Sequence, residues 1–340
     1  MTYSYNGRPV IPTCEIYHDL IPYLAGISMR DYFMDAPSCA EAYRVAERKV
    51  NETFDGILPM HPVTCPPLSY GHIACIGGEV DLPEFTEPYV KSYIGSISEG
   101  IALLKRNWNF EESKWFRHYV SMTEYLRSQF PDSKVPFSFG AEGPVTTAVL
   151  IRGQDFYMDI YDEPEKCKEF LRLITHSIIQ FHHLLSRMNG KPEVDPQGAG
   201  LADDFAALIP PNMWDDFVIP FWNMYYEGIT TGPRFVHVEG CSPNHLKYLA
   251  NAKIDHYQPS VSKLLTIENV KANTSVKFDW LLYAFSVTNM NDDEISAWVD
   301  NTVSEGIEII RTQVGEYAFT IGKEDRIKAF FRAFEKYRNQ

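Results

Sequence analysis

From about residue 135 onward, short strand-like runs alternate with helical periods, and this alternation limits the fold more than any other feature of the chain. Residues 135–139 read as a strand that ends in the turn Gly140-Ala-Glu-Gly-Pro144. Pro164 opens a long amphipathic helix, with Phe170, Ile174, Ile178, Phe181 and Leu185 recurring at three- and four-residue spacing on one face. Asp162 reads as its cap and Gly190 as its stop. Further strands are expected at 195–202, 235–238, 253–257, 276–282 and 307–312, and helices at 210–228, 243–249, 267–272, 292–303 and 323–337. Strands separated by helices in this way pair in parallel. With two more strands at 10–17 and 54–59, the pattern suits an α/β fold of one (β/α)8 TIM-type barrel over residues 1–340 better than an open doubly wound sheet. Residues 61–134 form a loop-rich N-terminal elaboration, and its Pro-rich stretch 61–88 is expected to cross the barrel mouth as an insertion or lid.

The charge balance narrows the function. With 31 basic and 45 acidic side chains the net charge is −14, which repels phosphate backbones and anionic lipid. Nucleic acid and membrane are therefore not expected as partners. No run approaches the roughly 18–20 apolar residues a membrane span needs. The opening Met1-Thr-Tyr-Ser-Tyr-Asn carries neither a basic leader nor an apolar run. Cys14, Cys39, Cys65, Cys75, Cys167 and Cys241 form no CxxC pair and read as reduced thiols. The expectation is a cytoplasmic enzyme.

In a barrel, chemistry sits where strands end. The polar residues at expected strand ends are mostly acidic: Glu15, His18, Glu142, Asp203, Asp204, His237, Glu239, His256, Asp279 and Glu316. Carboxylates gathered in one cavity repel one another unless a proton or cation is shared among them. In the His237-Val238-Glu239 run, side chains two apart project to the same face, so an imidazole and a carboxylate can converge as the start of a metal site. Asp203 or Asp204 can act as general acid or base or orient a ligand; equally, the pair can cap a helix or bridge to Arg152. Glu142, held between glycines and a proline, faces the cavity with a raised pKa or lies in a solvated turn. His182 and His183 diverge by about 100° on their helix, cannot share one ion there, and read as structural. Trp214, Trp222, Tyr225 and Tyr226 read as helix packing. No GxGxxG, GxxxxGK[ST] or GxSxG motif is present, which leaves dinucleotide, P-loop and nucleophile-elbow chemistry without support.

The run Phe139-Gly-Ala-Glu-Gly-Pro-Val-Thr-Thr-Ala-Val-Leu-Ile-Arg-Gly153, then Asp162-Glu-Pro-Glu-Lys166, Ile209-Pro-Pro211, Phe217-Val-Ile-Pro220 and His237-Val-Glu-Gly240, resembles the uroporphyrinogen decarboxylase superfamily. The resemblance extends over about residues 135–337. It implies a (β/α)8 barrel and either the decarboxylase activity or that of the corrinoid-dependent methyltransferase branch. The decarboxylase signature carries two N-terminal arginines for substrate carboxylates, whereas Pro12-Thr-Cys-Glu-Ile-Tyr-His18 has neither. A cavity lined by Glu15 and Glu142 would repel a polycarboxylate, so that activity is not expected.

The methyltransferase branch binds zinc through His-x-Cys and a later Cys. The resemblance maps these ligands onto His237, Glu239 and Glu316, with carboxylates where the family has thiolates. Such a set is harder and more Lewis-acidic, suited to an oxygen rather than a thiol. The implied activity is removal of a methyl group from a methoxylated substrate, an aromatic ether, with transfer to the Co(I) corrinoid of a partner protein. This is the component of an O-demethylase in which Zn²⁺, or another divalent metal, polarises the ether oxygen. Asp203, Asp204 and Glu142 are the expected catalytic groups, and Glu15, His18, Tyr70 and His256 the expected substrate contacts. No Asp-x-His-x-x-Gly cobalamin motif is present, so the corrinoid is expected on the partner. Self-association as a homodimer stays open, and Cys241 can stand in for one ligand. The alternative is a metal-dependent hydrolase or lyase that acts on a cyclic or carbonyl substrate without a corrinoid partner.

Overall fold

A computed structural model describes residues 3–338, and the chain resolves into two compact units. The first draws on the chain up to residue 63, on residues 259–261 and on the chain from residue 278. Its sheet runs in the order Tyr3–Tyr5, Arg8–Ile16, Ile309–Val314, Trp280–Leu282. The hairpin between the first two turns at Asn6-Gly7, both at positive φ (50° and 75°), which a two-residue turn matched to strand twist requires. The remaining pairings are parallel and set Thr13 opposite Arg311 and Glu15 opposite Gln313.

The strand expected at 54–59 is absent. The helix Ala36–Phe54 occupies its start and buries Cys39, Tyr43, Ala46, Val50 and Phe54. Those positions recur every three to four residues, the period of a helix rather than a strand. The Asp35 carboxylate accepts the Ser38 N–H at the helix start.

The second unit comprises residues 64–258 and 262–277. Its strands Ala199–Ala202, Arg234–His237 and His256–Gln258 are parallel, with His237 level with Ala202 on one side and Gln258 on the other. The long helix Pro164–Met188 buries Phe170, Ile174, Ile178 and Phe181 as its spacing requires. Asp162 closes the preceding helix Phe156–Asp162, and Glu163 takes the cap position. Residues 135–139 join no strand ladder; the Asn189 side chain bonds both the N–H and the C=O of Phe137 instead. The expected helix at 210–228 is broken into Trp214–Phe217 and Ile219–Ile229. Pro220, which lacks an N–H, sits in the first turn of the second piece. The 61–134 segment supplies Cys65, Leu68, Phe110, Trp115, Phe116 and Tyr119 to the core of this unit. Tyr119 stacks on Phe139 at 4.5 Å.

Among the described residues, strand hydrogen bonds form two four-stranded sheets and a two-stranded ribbon of Val80–Asp81 with Tyr89–Val90. No helix among them is long and apolar enough to cross a membrane.

Candidate functional site

The two adjacent aspartates of the second unit separate into different jobs. Asp203 is fully buried. Its carboxylate accepts the N–H groups of Thr146 (2.7 Å) and Val145 (3.3 Å) at the open end of the helix Pro144–Arg152, and the indole N–H of Trp222 at 2.7 Å. It therefore supplies, from a neighbouring strand end, the cap that Gly143 cannot provide. Gly143 is required here, since a Cβ would lie 2.4 Å from the Asp203 side chain. Burial pushes the Asp203 carboxyl up to about 6, with its hydrogen-bond donors pulling the other way. Arg152 pairs instead with Asp159 and Asp155.

Asp204 turns toward the His237 imidazole. Its Oδ1 accepts the Glu239 N–H at 2.8 Å and lies 3.4 Å from His237 Nε2, while Glu239 Oε1 lies 3.9 Å from the same nitrogen. His237 Nδ1 meets the Gln258 side-chain oxygen, its level neighbour on the next strand. An amide oxygen can only accept, so Nδ1 donates, and Nε2 is the nitrogen that faces the two carboxylates. All three side chains stay reachable, 29 % to 46 % exposed. Nitrogen and carboxylate oxygen form a donor set of the type that borderline and hard divalent ions take. Among the described residues, no three His, Cys, Asp or Glu side chains are drawn together as a metal shell. This approach of two carboxylates to an oriented imidazole is what the chain offers in that direction.

Glu142 stands in the turn between Gly140 and Gly143. A Cβ on Gly140 would lie 2.5 Å from the Leu68 carbonyl, so this turn is fixed against residues 68–69. Burial first, then the charges of Asp204 and Asp203, push the Glu142 carboxyl up to about 8, while a Ser69 hydrogen bond lowers it. Tyr70 lies in the same field. Its phenol is raised by burial and then by Glu142 and Glu87. Glu142 thus holds a proton at neutral pH beside Asp203 and Asp204. His256 opens its strand two residues before Gln258, with Phe235 beside its ring.

The first unit holds the other expected residues. Glu15 is not a lone acid: Arg311 binds it at 2.8 Å and Asp279 at 3.1 Å. His18 packs edge-on near Phe33. Glu316 is exposed at the start of the short helix Glu316–Thr320.

Sequence reasoning missed Gln258 and Arg311. Gln258 closes its strand and Arg311 lies within one, and only the register reveals their partners. His182 bonds Tyr225 and His183 bonds the Gly228 carbonyl, as structural residues do. Trp214, Trp222, Tyr225 and Tyr226 are buried. Burial pushes the Cys241 thiol up to about 12, so it stays protonated at neutral pH.

A family model described as uroporphyrinogen decarboxylase matches residues 23–275. No curated protein matches at a significant level. Among solved structures, a methyltransferase from Methanosarcina mazei matches with a TM-score of 0.68 at 14% identity, covering 96% of this chain and 94% of that chain. A likeness of that extent establishes a shared α/β fold.

Proposed function

The chain belongs to the uroporphyrinogen decarboxylase family, and from that premise we propose that it is a methyltransferase acting on a methoxylated substrate, an aromatic ether, with the Co(I) corrinoid of a partner protein as methyl acceptor. His237 and Glu239 would hold a divalent metal, zinc or another, with Asp204 beside the imidazole. When bound, the ion supplies Lewis acidity toward an ether oxygen.

The observation that carries this reading is the orientation of His237: Gln258 holds Nδ1, and Nε2 faces Asp204 and Glu239. A ligand histidine is usually fixed through its other nitrogen in this manner. The fold shared with a methyltransferase supports the reaction class. Glu142, protonated near neutral pH, is the group suited to return a proton to the oxygen that loses its methyl group. Asp203 keeps the turn bearing Glu142 against the strand end bearing Asp204. Tyr70 and His256, in the same unit as His237, are assigned to substrate contacts.

The test combines metal analysis with turnover. The purified protein is expected to carry about one divalent ion per chain, lost in His237→Ala and Glu239→Ala. With reduced cobalamin and a panel of methoxyaromatics, the wild type should convert Co(I) to methylcobalamin, followed by absorbance, and the variants should not. Demethylation without any corrinoid, or no uptake of Zn²⁺ or Mn²⁺ by the wild type, would overturn the assignment.

A further inference from the structure

We infer that the C-terminal ends of the parallel strands in the first unit form a recognition subsite for a protonated amine. The inference rests on residues of that unit alone and stands apart from the methyl-transfer proposal. Glu15 and Gln313 face each other in register, each one residue from the end of its strand, where ligands of parallel α/β folds bind. Two residues earlier on the same strand as Gln313, Arg311 spans Glu15 and Asp279. Two carboxylates against one guanidinium leave one negative charge in excess.

Gln313 supplies the independent observation. It is only 6 % exposed, and its side-chain N–H group lies 3.4 Å from the Glu15 carboxylate. That contact fixes the amide, because the flipped form would set oxygen against oxygen. The oxygen Oε1 then points away and has no hydrogen-bond partner among the described residues. A buried acceptor without a donor is costly, and a ligand N–H removes that cost. Glu15 is 42 % exposed, so its carboxylate is open to an incoming group.

The residues just beyond the strands favour a cation as well. Tyr283 and Tyr317 follow the strands Trp280–Leu282 and Ile309–Val314 and flank Phe285, at 5.5 and 4.4 Å between ring centres. Phe285 is 48 % exposed, and aromatic faces attract cations. A carboxylate ligand meets the excess negative charge. A quaternary ammonium has no N–H for Gln313, and an alcohol lacks the complementary charge. A primary or secondary ammonium meets both demands.

Calorimetric titration with three probes that share a phenyl body tests this: phenethylamine, 2-phenylethanol and phenylacetate. The amine is expected to bind about tenfold or more tighter than the alcohol, with no binding of the acid, since a hydrogen bond to a charged group contributes about 1.5–3 kcal/mol. Glu15→Gln and Gln313→Leu should each weaken the amine by about tenfold, with thermal unfolding recorded alongside. If Gln313→Leu does not fold, the isosteric change at half-exposed Glu15 carries the test alone. Equal binding of amine and alcohol, no binding of the amine, or undiminished affinity in Glu15→Gln would overturn the inference. Because the titration reads binding without corrinoid, its failure is separate from any failure of methyl transfer.

Discussion

His237 and Gln258 lie level on adjacent parallel strands, and the imidazole N–H of the first is held by the side-chain oxygen of the second. Removing that acceptor frees the ring to rotate and to exchange tautomers without touching any proposed ligand. Gln258→Leu is therefore expected to weaken divalent-metal binding by about 10- to 100-fold, measured by competition with a chromophoric chelator. Gln258→Glu, which keeps an acceptor, should retain most of the affinity. Equal affinity in wild type and Gln258→Leu would show that the ring needs no such support.

Asp203 predicts a stability phenotype. Asp203→Ala removes a helix cap, about 0.5–2 kcal/mol, and strands the buried Trp222 N–H, about 1–3 kcal/mol more. Asp203→Asn keeps one acceptor oxygen and should lose less. Urea unfolding of the three proteins checks the order, and an unchanged midpoint for the alanine variant would refute it.

Glu142 predicts a pH dependence. Its carboxyl stands at about 8 in the folded chain against an ordinary 4.5. Between those values the folded state keeps the proton while the unfolded chain releases it, so the folded state binds more protons. Its contribution is complete below about pH 4.5 and is lost as the pH rises through about 8. Asp203 acts with the same sign over a narrower window, from 3.8 to about 6. Glu142→Gln cannot ionise and is expected to flatten the decline from pH 6 upward, with denaturant midpoints as the readout. A variant whose profile parallels the wild type would exclude Glu142 as its source.

Arg311 and its two partners predict unequal costs. Asp279 is only 5 % exposed and loses a counter-charge if Arg311 is removed. Arg311→Met is expected to cost on the order of 3 kcal/mol. Glu15, far more exposed, should cost about 1 kcal/mol or less as Glu15→Gln. Thermal melts of both variants test the contrast.

The alternation of strands and helices was legible because burial on one face leaves a period in the sequence, and the long helix from Pro164 shows it plainly. The same period ran through Cys39, Tyr43, Ala46, Val50 and Phe54, where a strand was nonetheless expected nearby. His237 and Glu239 were legible from their two-residue spacing. The separation of Asp203 from Asp204 was not, since which of two neighbouring carboxylates turns inward depends on a helix end 57 residues away in sequence. Gln258 and Arg311 were hidden for a related reason. Their roles come from the residues beside them on the next strand, and a single strand does not state its register.

The break at Val218, with Pro220 starting the next turn, sets the indole of Trp222 where it donates to Asp203. One of the six tryptophans is thus coupled to a carboxyl that changes charge near pH 6. Indole emission responds to hydrogen bonding and to nearby charge, so the chain contains a built-in optical reporter. The colour of its ultraviolet fluorescence is therefore expected to follow the proton on Asp203, with no label attached.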